Sequence, residues 1–584
     1  MKRNLSVITV PFPPRMMSTS RNPTAMPVEY ARDVLNMFTL TSGAGSKRNG
    51  VQKVGNAIGG DETILRLMHF VPASGALQLL AVTDAGSIYL YDDGDWTSVY
   101  TGLSTSGHVR WTHFGNHLAL CNGIDTPLKW DGTSFSKISQ WIQDDGIDLT
   151  YVDGDTLTFT GDETLYPAGT EVKLRLGSGT YVETTVLSVS ASSGTVTLNL
   201  SDAVATAALD ELHYKAYPPA FAFIMAAHNR LWGLGTGALQ ANGFSANADR
   251  NRVYYTDGLN DPDAWRNDDG FLQHINLNDK TPTSDELIAM AIKDGLTVFF
   301  FRNFAQVWAG TDPTATGDFT WQKTISVGTV HGDLVVNLPN DIGFFTRYGA
   351  RTISRALQTE QLDVSDLGSD VDPTIAGAIQ EITATDNAYR DAHTFYEDRQ
   401  GWFGFKLGNV VVVYQVASAA SGWARFDGLF ADATAFMNTP DGKLYLASGG
   451  QLYVYDHDTY DDDGEAIQTR WWTPWLNFSS DFKRWANKYV ELVTEQGAPV
   501  NITLRRYKSY NSSSSVSQEL TATTAADYWD DGDWDDALWD NGYPKPAVVR
   551  DGYVADVLAY AVESSTTTGP MTIFGFKLYG KQER

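Results

Sequence analysis

The sequence is poor in cysteine, in basic residues, in helical patterning and in long apolar runs. Cys121 is the single cysteine in 584 residues, which excludes an internal disulfide framework and a cysteine-based zinc site. Stability must come from burial, and a compact chain of 64.2 kDa buries about three quarters of its unfolded surface. Lys and Arg number 43 against 70 Asp and Glu, a net charge of -27. Readers of DNA sequence neutralise phosphates with Lys and Arg, so this balance argues against that class. The longest apolar runs, such as 220–227 and 410–413, are strand-length and far below the roughly 18 residues of a membrane helix. Near the N-terminus the apolar stretch Leu5 to Val10 is cut by prolines before it reaches the length of a signal-peptide core. The chain reads as made and folded in the cytosol.

What the sequence has is aromatics and glycine. Phe, Tyr and Trp make up 12% of residues, with 52 Gly, too aromatic a chain to be disordered despite its charge. Short β-branched and aromatic runs alternate with Gly, Asp and Asn turns: LQLLAV (77–82), SIYLY (87–91), VFFF (298–301), VVVVY (410–414) and LYVY (452–455). A helix is expected only around Asp372–Thr383. An apolar strand, a turn of the Asp-Gly or Asn-Gly type and a strand ending in an aromatic recur at intervals of tens of residues, as propeller blades do. Residues 142–215 interrupt this rhythm with Thr, Val and Gly and no Trp, and read as a small β-barrel or sandwich inserted between blades. At roughly 45 residues per blade, segments 51–141 and 216–456 hold six to seven blades. Residues 1–50 form an N-terminal arm with the first propeller or platform strand, and 457–584 a third all-β unit of the two-sheet sandwich type. The expected fold is therefore all-β: a β-propeller with an inserted small β domain and a C-terminal β-sandwich.

Few residues suggest chemistry. SGAGSKRNG (42–50) lacks the G-K-[ST] ending of a phosphate loop and is not followed by a helix, so it is expected to be a turn with Lys47 and Arg48 on the surface. His113 and His117 are four apart, but in a strand–turn context they cannot share one helix face to hold a metal. Cys121, in LALCNG, fits a buried strand. With 70 acids, carboxylate pairs at glycosidase spacing arise by chance. No catalytic, cofactor or metal residue is assigned.

Two acidic segments stand out. Asp456, Asp458, Asp461, Asp462 and Asp463 precede Gly464 without EF-hand spacing; a solvated interdomain linker is expected, with calcium binding as the alternative. The stretch 527–540 packs seven Asp with Trp529, Trp534 and Trp539. Its charges repel one another while its rings gain from burial against a partner. It is either a hairpin laid on the sandwich or a contact between subunits, so the three Trp join Lys47 and Arg48 as candidate interface residues. Trp471, Trp472 and Trp475 are expected in a core or a domain interface.

The phrase VEYARDVLNMFTLTSGAGSKRNGVQKV (28–54) resembles the start of tail hub, or nozzle, proteins of short-tailed bacteriophages. Leu35, Asn36, Met37, Lys47, Arg48 and Gly50 match that family's pattern, with Asn49 where it often has Pro. NRVYYTDGLNDPDAW (251–265), ELIAMAIKDGLTVFFFRNFAQVWAG (286–310) and YDDDGEAIQTRWWTPWLNFSSDFKRWANKYVELVTEQGAPVNITLR (460–505) are similar to later phrases in the same order, none with catalytic content. The resemblance implies a homohexameric nozzle of the virion tail, assembled in the host cytoplasm below the portal and its adaptor ring. Such a nozzle extends and closes the DNA channel, passes genomic DNA without sequence-specific binding, and docks tail fibres or spikes. It implies no enzyme activity and no cofactor. The segment 142–215 is then expected as its distal tip or gate. The rival reading is a glycan-binding or glycan-cleaving propeller of a phage tail.

Overall fold

The structure, a computed structural model, describes residues 5–583 except 74, 145–146, 205–208, 237–250, 268, 281–284, 339–340, 360–365, 383–390, 417–420, 479–483, 495–499, 512, 514–515 and 523–546. Each repeat of the strand-and-turn grammar is an antiparallel meander. Blade 1 comprises Ile64–Phe70, Gln78–Thr83, Ile88–Asp92 and Asp95–Tyr100; blade 2 comprises Arg110–Phe114, His117–Cys121, Leu128–Trp130 and Phe135–Lys137. Blade 3 runs from Phe221–Ala227 to His274–Asn276, and blade 4 from Leu287–Lys293 to Thr320–Ile325. Blade 5 has three strands, Val335–Leu338, Asp341–Thr346 and Gly349–Thr352, and blade 6 has four, from Ala392–Glu397 to Gly422–Phe426. Blade 7 contributes Ala435–Asn438, Leu444–Ser448 and Gln451–Asp456, and takes its outermost strand, Gly50–Val54, from the N-terminal side. Among the described residues the propeller thus has seven blades. Its hairpins use the expected turns: Asp93 and Gly94 have φ of 45° and 95°, and Asp294 and Gly295 51° and 77°, the left-handed pair that matches strand twist.

The ring closes because neighbouring blades share cores. Trp130 is buried between blades 1 and 2, Phe221 with Trp265 between blades 2 and 3, and Trp232 with Phe299 between blades 3 and 4. Phe300 and Phe344 join blades 4 and 5 with ring centroids 5.0 Å apart, Phe345 and Phe405 join blades 5 and 6 at 4.6 Å, and Phe395 stacks on Phe436 at 4.2 Å between blades 6 and 7. Leu67 and Met437 complete the circuit. These aromatics each bury about 150–250 Å², which is what the 12% aromatic content is for. At the closing strand a Cβ on Gly50 would lie 1.8 Å from the Asp461 carbonyl oxygen. Gly50→Ala should therefore cost about 1–3 kcal/mol through overpacking, read as a lower denaturant midpoint.

The expected helix is present as Asp372–Ile382, with Ile375, Ile379 and Ile382 buried. Two others, Ile353–Thr359 and Leu429–Asp432, have seven and four residues, too few for a 3.6-residue period to show. The insertion spans Gln140 to Ala216, whose strands pair at those two residues. Its seven strands form one sheet, bent where the long strand Tyr181–Ser192 leaves Glu171–Leu176 for Thr195–Leu200 across a bulge near Val186. Leu157, Phe159, Val172, Leu198 and Leu212 fill its own core.

The sandwich has two sheets. The first holds Arg484–Thr494, Ala547–Ala555 and Thr572–Glu583, and the arm adds Ser6–Pro11 and the hairpin Met37–Thr39/Gly45–Lys47 to it. The second holds Glu465–Trp472, Val557–Thr566, Val500–Lys508 and Val516–Ala522. Asp33–Leu35 bridges Glu465–Trp472 to the blade 6 strand Gly422–Phe426, so one sheet runs from sandwich into propeller. No helix among the described residues is long and apolar enough to cross a membrane.

Candidate functional site

The structure corrects the placement of Lys47 and Arg48. They are 1% and 0% exposed, because the arm runs between sandwich and propeller and meets acids and carbonyls there. Arg48 grips Asp462 with two parallel hydrogen bonds, Nη1 to Oδ1 at 2.8 Å and Nη2 to Oδ2 at 2.6 Å. Its Nε donates to Asn36 Oδ1 (3.0 Å), and its remaining N–H groups reach the carbonyls of Asn49 (3.0 Å) and Asp427 (3.1 Å). All five guanidinium donors are satisfied, and the Phe430 ring lies 4.7 Å away. Lys47 donates to the Thr566 carbonyl at 2.8 Å, and burial lowers its pKa to about 8. Asn36, at φ 52°, tolerates the left-handed region better than most residues and donates from Nδ2 to the Gln468 carbonyl at 2.7 Å.

The acidic stretch is likewise not a solvated linker. Asp461–Asp462 is a strand, and Asp462 is buried as the partner of Arg48. Asp456 accepts from the Asp458 N–H (3.0 Å) and the Thr459 hydroxyl (2.9 Å), Asp461 from the Gly464 N–H (2.6 Å), and Asp463 pairs with Lys53 at 2.8 Å. Asp462 has both oxygens committed to Arg48, and among the described residues no three of these acids bring their carboxylates together as metal ligands. Trp529, Trp534 and Trp539 lie outside the described residues. His113 and His117 sit on paired strands opposite Leu118 and Phe114, and His113 packs on His69 at 4.8 Å. Cys121 is buried, which pushes its thiol up to about 12 and leaves it inert as a nucleophile.

The sequence did not reveal a second network, on the propeller axis. Asp333, in the turn Gly332–Leu334 before blade 5, accepts from Arg66 of blade 1, from His108 Nε2 at 2.5 Å and from Arg110 Nε of blade 2 at 2.9 Å. Arg66 also donates to the Val109 carbonyl (2.8 Å) and to His393 Nδ1 of blade 6 (3.3 Å), and Arg110 to the Ala222 carbonyl of blade 3 (2.6 Å). Five blades are thereby tied at the centre. The partners are up to 327 positions apart. The one visible signal was a charge within an apolar strand: Arg66 in ILRLMHF and Arg110 beside Trp111. Desolvation holds His108 down at about 4 and His331 and His393 well below the usual imidazole range. Asp333 stays well below the usual carboxylate range, because the attraction of Arg110 and Arg66 outweighs its burial.

His108, His331 and Asp333 offer ligand atoms within 4.8 Å of one another, a donor set that suits a divalent metal. Two guanidiniums already occupy the carboxylate, and His331 Nδ1 accepts the Asp333 N–H at 3.1 Å. With neutral imidazoles the centre is net positive and repels a cation. The arrangement acts as an ionic tie. Beside it lies a cavity of about 300 Å³ touching Arg66, Arg110, Phe223 and Met290, room for about ten waters. A second cavity of about 620 Å³ borders His108, Asp391, His393, Lys406 and Asp432, with no Phe, Tyr or Trp in its described lining.

Fold and site define a seven-bladed β-propeller carrying an inserted β module and a sandwich, held by buried ionic joints. No family model matches the chain, and no curated protein matches it. Among solved structures it is similar to the mitotic checkpoint complex at 10% identity and TM-score 0.32, covering 68% of this chain and 92% of that one. It is similar to the WD40 β-propeller domain of Doa1 at 12% identity and TM-score 0.24, covering 70% and 97%. It is also similar to BBS1N in complex with ARL6DN at 10% identity and TM-score 0.23, covering 70% and 96%. Superpositions this loose carry no argument beyond the sheet order above.

Proposed function

We propose that this chain is a structural subunit of a short-tailed phage tail nozzle, six copies of which ring a DNA channel below the portal and adaptor. The observation that carries the reading is where the shared phrases fall. Leu35, Asn36, Met37, Lys47, Arg48 and Gly50 are the joint that locks the arm into both sandwich and propeller, the expected use of residues a rigid ring subunit has to keep. The buried charges are committed to ties between parts of the fold. The axial cavity of about 300 Å³ is too small for a duplex, so the channel of a nozzle lies between copies. At -27 per chain, carboxylates near that wall repel phosphates within about 8 Å, the screening length at physiological salt. A ring follows when a head-to-tail contact closes on itself.

The glycan-binding alternative has no observation of this kind behind it; its place would be the cavity of about 970 Å³ lined by Tyr414, Trp423 and Asp366. The test is the native mass of the purified protein, followed by negative-stain imaging. A six-fold ring with a central hole is expected, with or without the adaptor ring. A monomer under both conditions overturns the reading. The insertion's ends pair at Gln140 and Ala216, so replacing 141–215 by a short Gly-Ser bridge should leave the propeller folded. Particles that assemble and still retain DNA with such a chain would remove the gate role.

A further inference from the structure

The cavity of about 620 Å³ beside the axial tie has one wall of buried hydrogen-bond donors. Arg66 of blade 1 and His393 and Lys406 of blade 6 line it, with side chains 11%, 3% and 3% exposed. Arg66 is committed to Asp333, His108, the Val109 carbonyl and His393 Nδ1. A guanidinium only donates, so His393 Nδ1 is the acceptor and the ring proton lies on Nε2. That Nε2 is 3.9 Å from the Asp391 carboxylate, beyond hydrogen-bond reach. Lys406 donates to the same Asp391 oxygen, which occupies one of its three N–H groups. Its ammonium has no other hydrogen-bond partner among the described residues. Around this wall Arg66, Arg110 and Lys406 bring three positive charges, and Asp333 and Asp391 two negative ones. Burial keeps His108 and His393 neutral, so three minus two leaves one positive charge, and a buried charge without a counter-charge is costly. Asp84 and Asp432, the other acids of the lining, are exposed, where water weakens their pull on it.

We propose that this cavity binds a short aliphatic carboxylate whose far end carries a hydrogen-bond donor. The carboxylate takes Lys406 Nζ and His393 Nε2, the chain lies on Leu65, Val109, Ala431 and Ala433, and the far donor meets Asp432. A monoanion is selected because one positive charge remains to be neutralised. A phosphate dianion favours forked guanidiniums, and both guanidiniums here are already held by Asp333. The described lining has no Phe, Tyr or Trp on which a nucleobase could stack. The cavity's size is that of small-molecule sites. The inference concerns a single subunit and holds whatever ring that subunit joins.

The experiment is isothermal titration calorimetry of the full chain with δ-hydroxyvalerate, and with δ-hydroxyvaleramide as its uncharged counterpart. The acid is expected to bind saturably, and the amide about tenfold more weakly because it forfeits the charge-assisted contact. That comparison is made in the unaltered protein and puts no fold at risk. Lys406→Met should weaken the acid by about tenfold. It leaves Asp391 with a side chain 34% exposed, where water can solvate it. Arg399→Gln, on exposed surface, should leave the affinity unchanged. Failure of the acid to bind with a Kd below about 1 mM overturns the proposal. So does an amide that binds as tightly as the acid, or a Lys406→Met protein that binds the acid as the parent does.

Discussion

Arg48→Ala should lower the unfolding free energy by about 3–5 kcal/mol, the usual cost of leaving one partner of a buried ion pair alone. The case is at the severe end because Arg48 is fully buried and its five donors hold four residues: Asp462, Asn36, Asn49 and Asp427. Its loss strands the Asp462 carboxylate, whose exposure is only 5%, and frees the arm from blade 7. Replacing both partners by apolar residues of similar size, Arg48→Met with Asp462→Leu, should recover much of the loss, since no charge is then left buried. Denaturant midpoints of the two single variants and the double variant measure this as a coupling energy. A single variant within about 0.5 kcal/mol of the parent, the range of ordinary surface changes, would mean the joint contributes nothing special.

The same joint shows what the sequence made legible. Strand runs, Asp-Gly turns, the insertion and the helix at Asp372–Ile382 are local patterns, and each is where its periodicity puts it. Lys47 and Arg48 were misplaced because a basic pair in a glycine-rich stretch normally faces water. Their burial depends on Asp462, 414 positions away, which no window of sequence connects. Asp462 in turn looked like one member of a solvated acidic run. The axial charges were invisible for the same reason: Arg66, Arg110 and Asp333 meet only when the ring of blades closes. Long-range strand pairing creates the charge clusters, and local patterning creates the strands.

Acid should weaken the propeller at its axis well before its carboxylates titrate. An ordinary imidazole has a pKa of about 6.5, while His108 is held at about 4 and His331 and His393 lie well below 6.5, all by burial. A histidine with a lowered folded pKa takes up its proton more readily in the unfolded chain. Stability is therefore full above about pH 6.5 and falls as the pH drops from there towards the folded value. For His108 the loss at pH 5 is about 2 kcal/mol, and His331 and His393 add losses of the same sign. Asp333 works in a lower window. Its depressed pKa stabilises the fold above the unfolded value of about 3.9, and that contribution fades only below it. Denaturant midpoints between pH 7 and 4.5 should fall steeply in the parent. His393→Gln, which keeps an acceptor for Arg66 and removes one titrating ring, should flatten the slope by up to one proton. Asp333→Asn should cost about 3–5 kcal/mol already at pH 7, because Arg66 and Arg110 lose their shared carboxylate. A midpoint flat from pH 7 to 5 would mean that the axial histidines are not held neutral, and the ionic tie would then have to be redrawn.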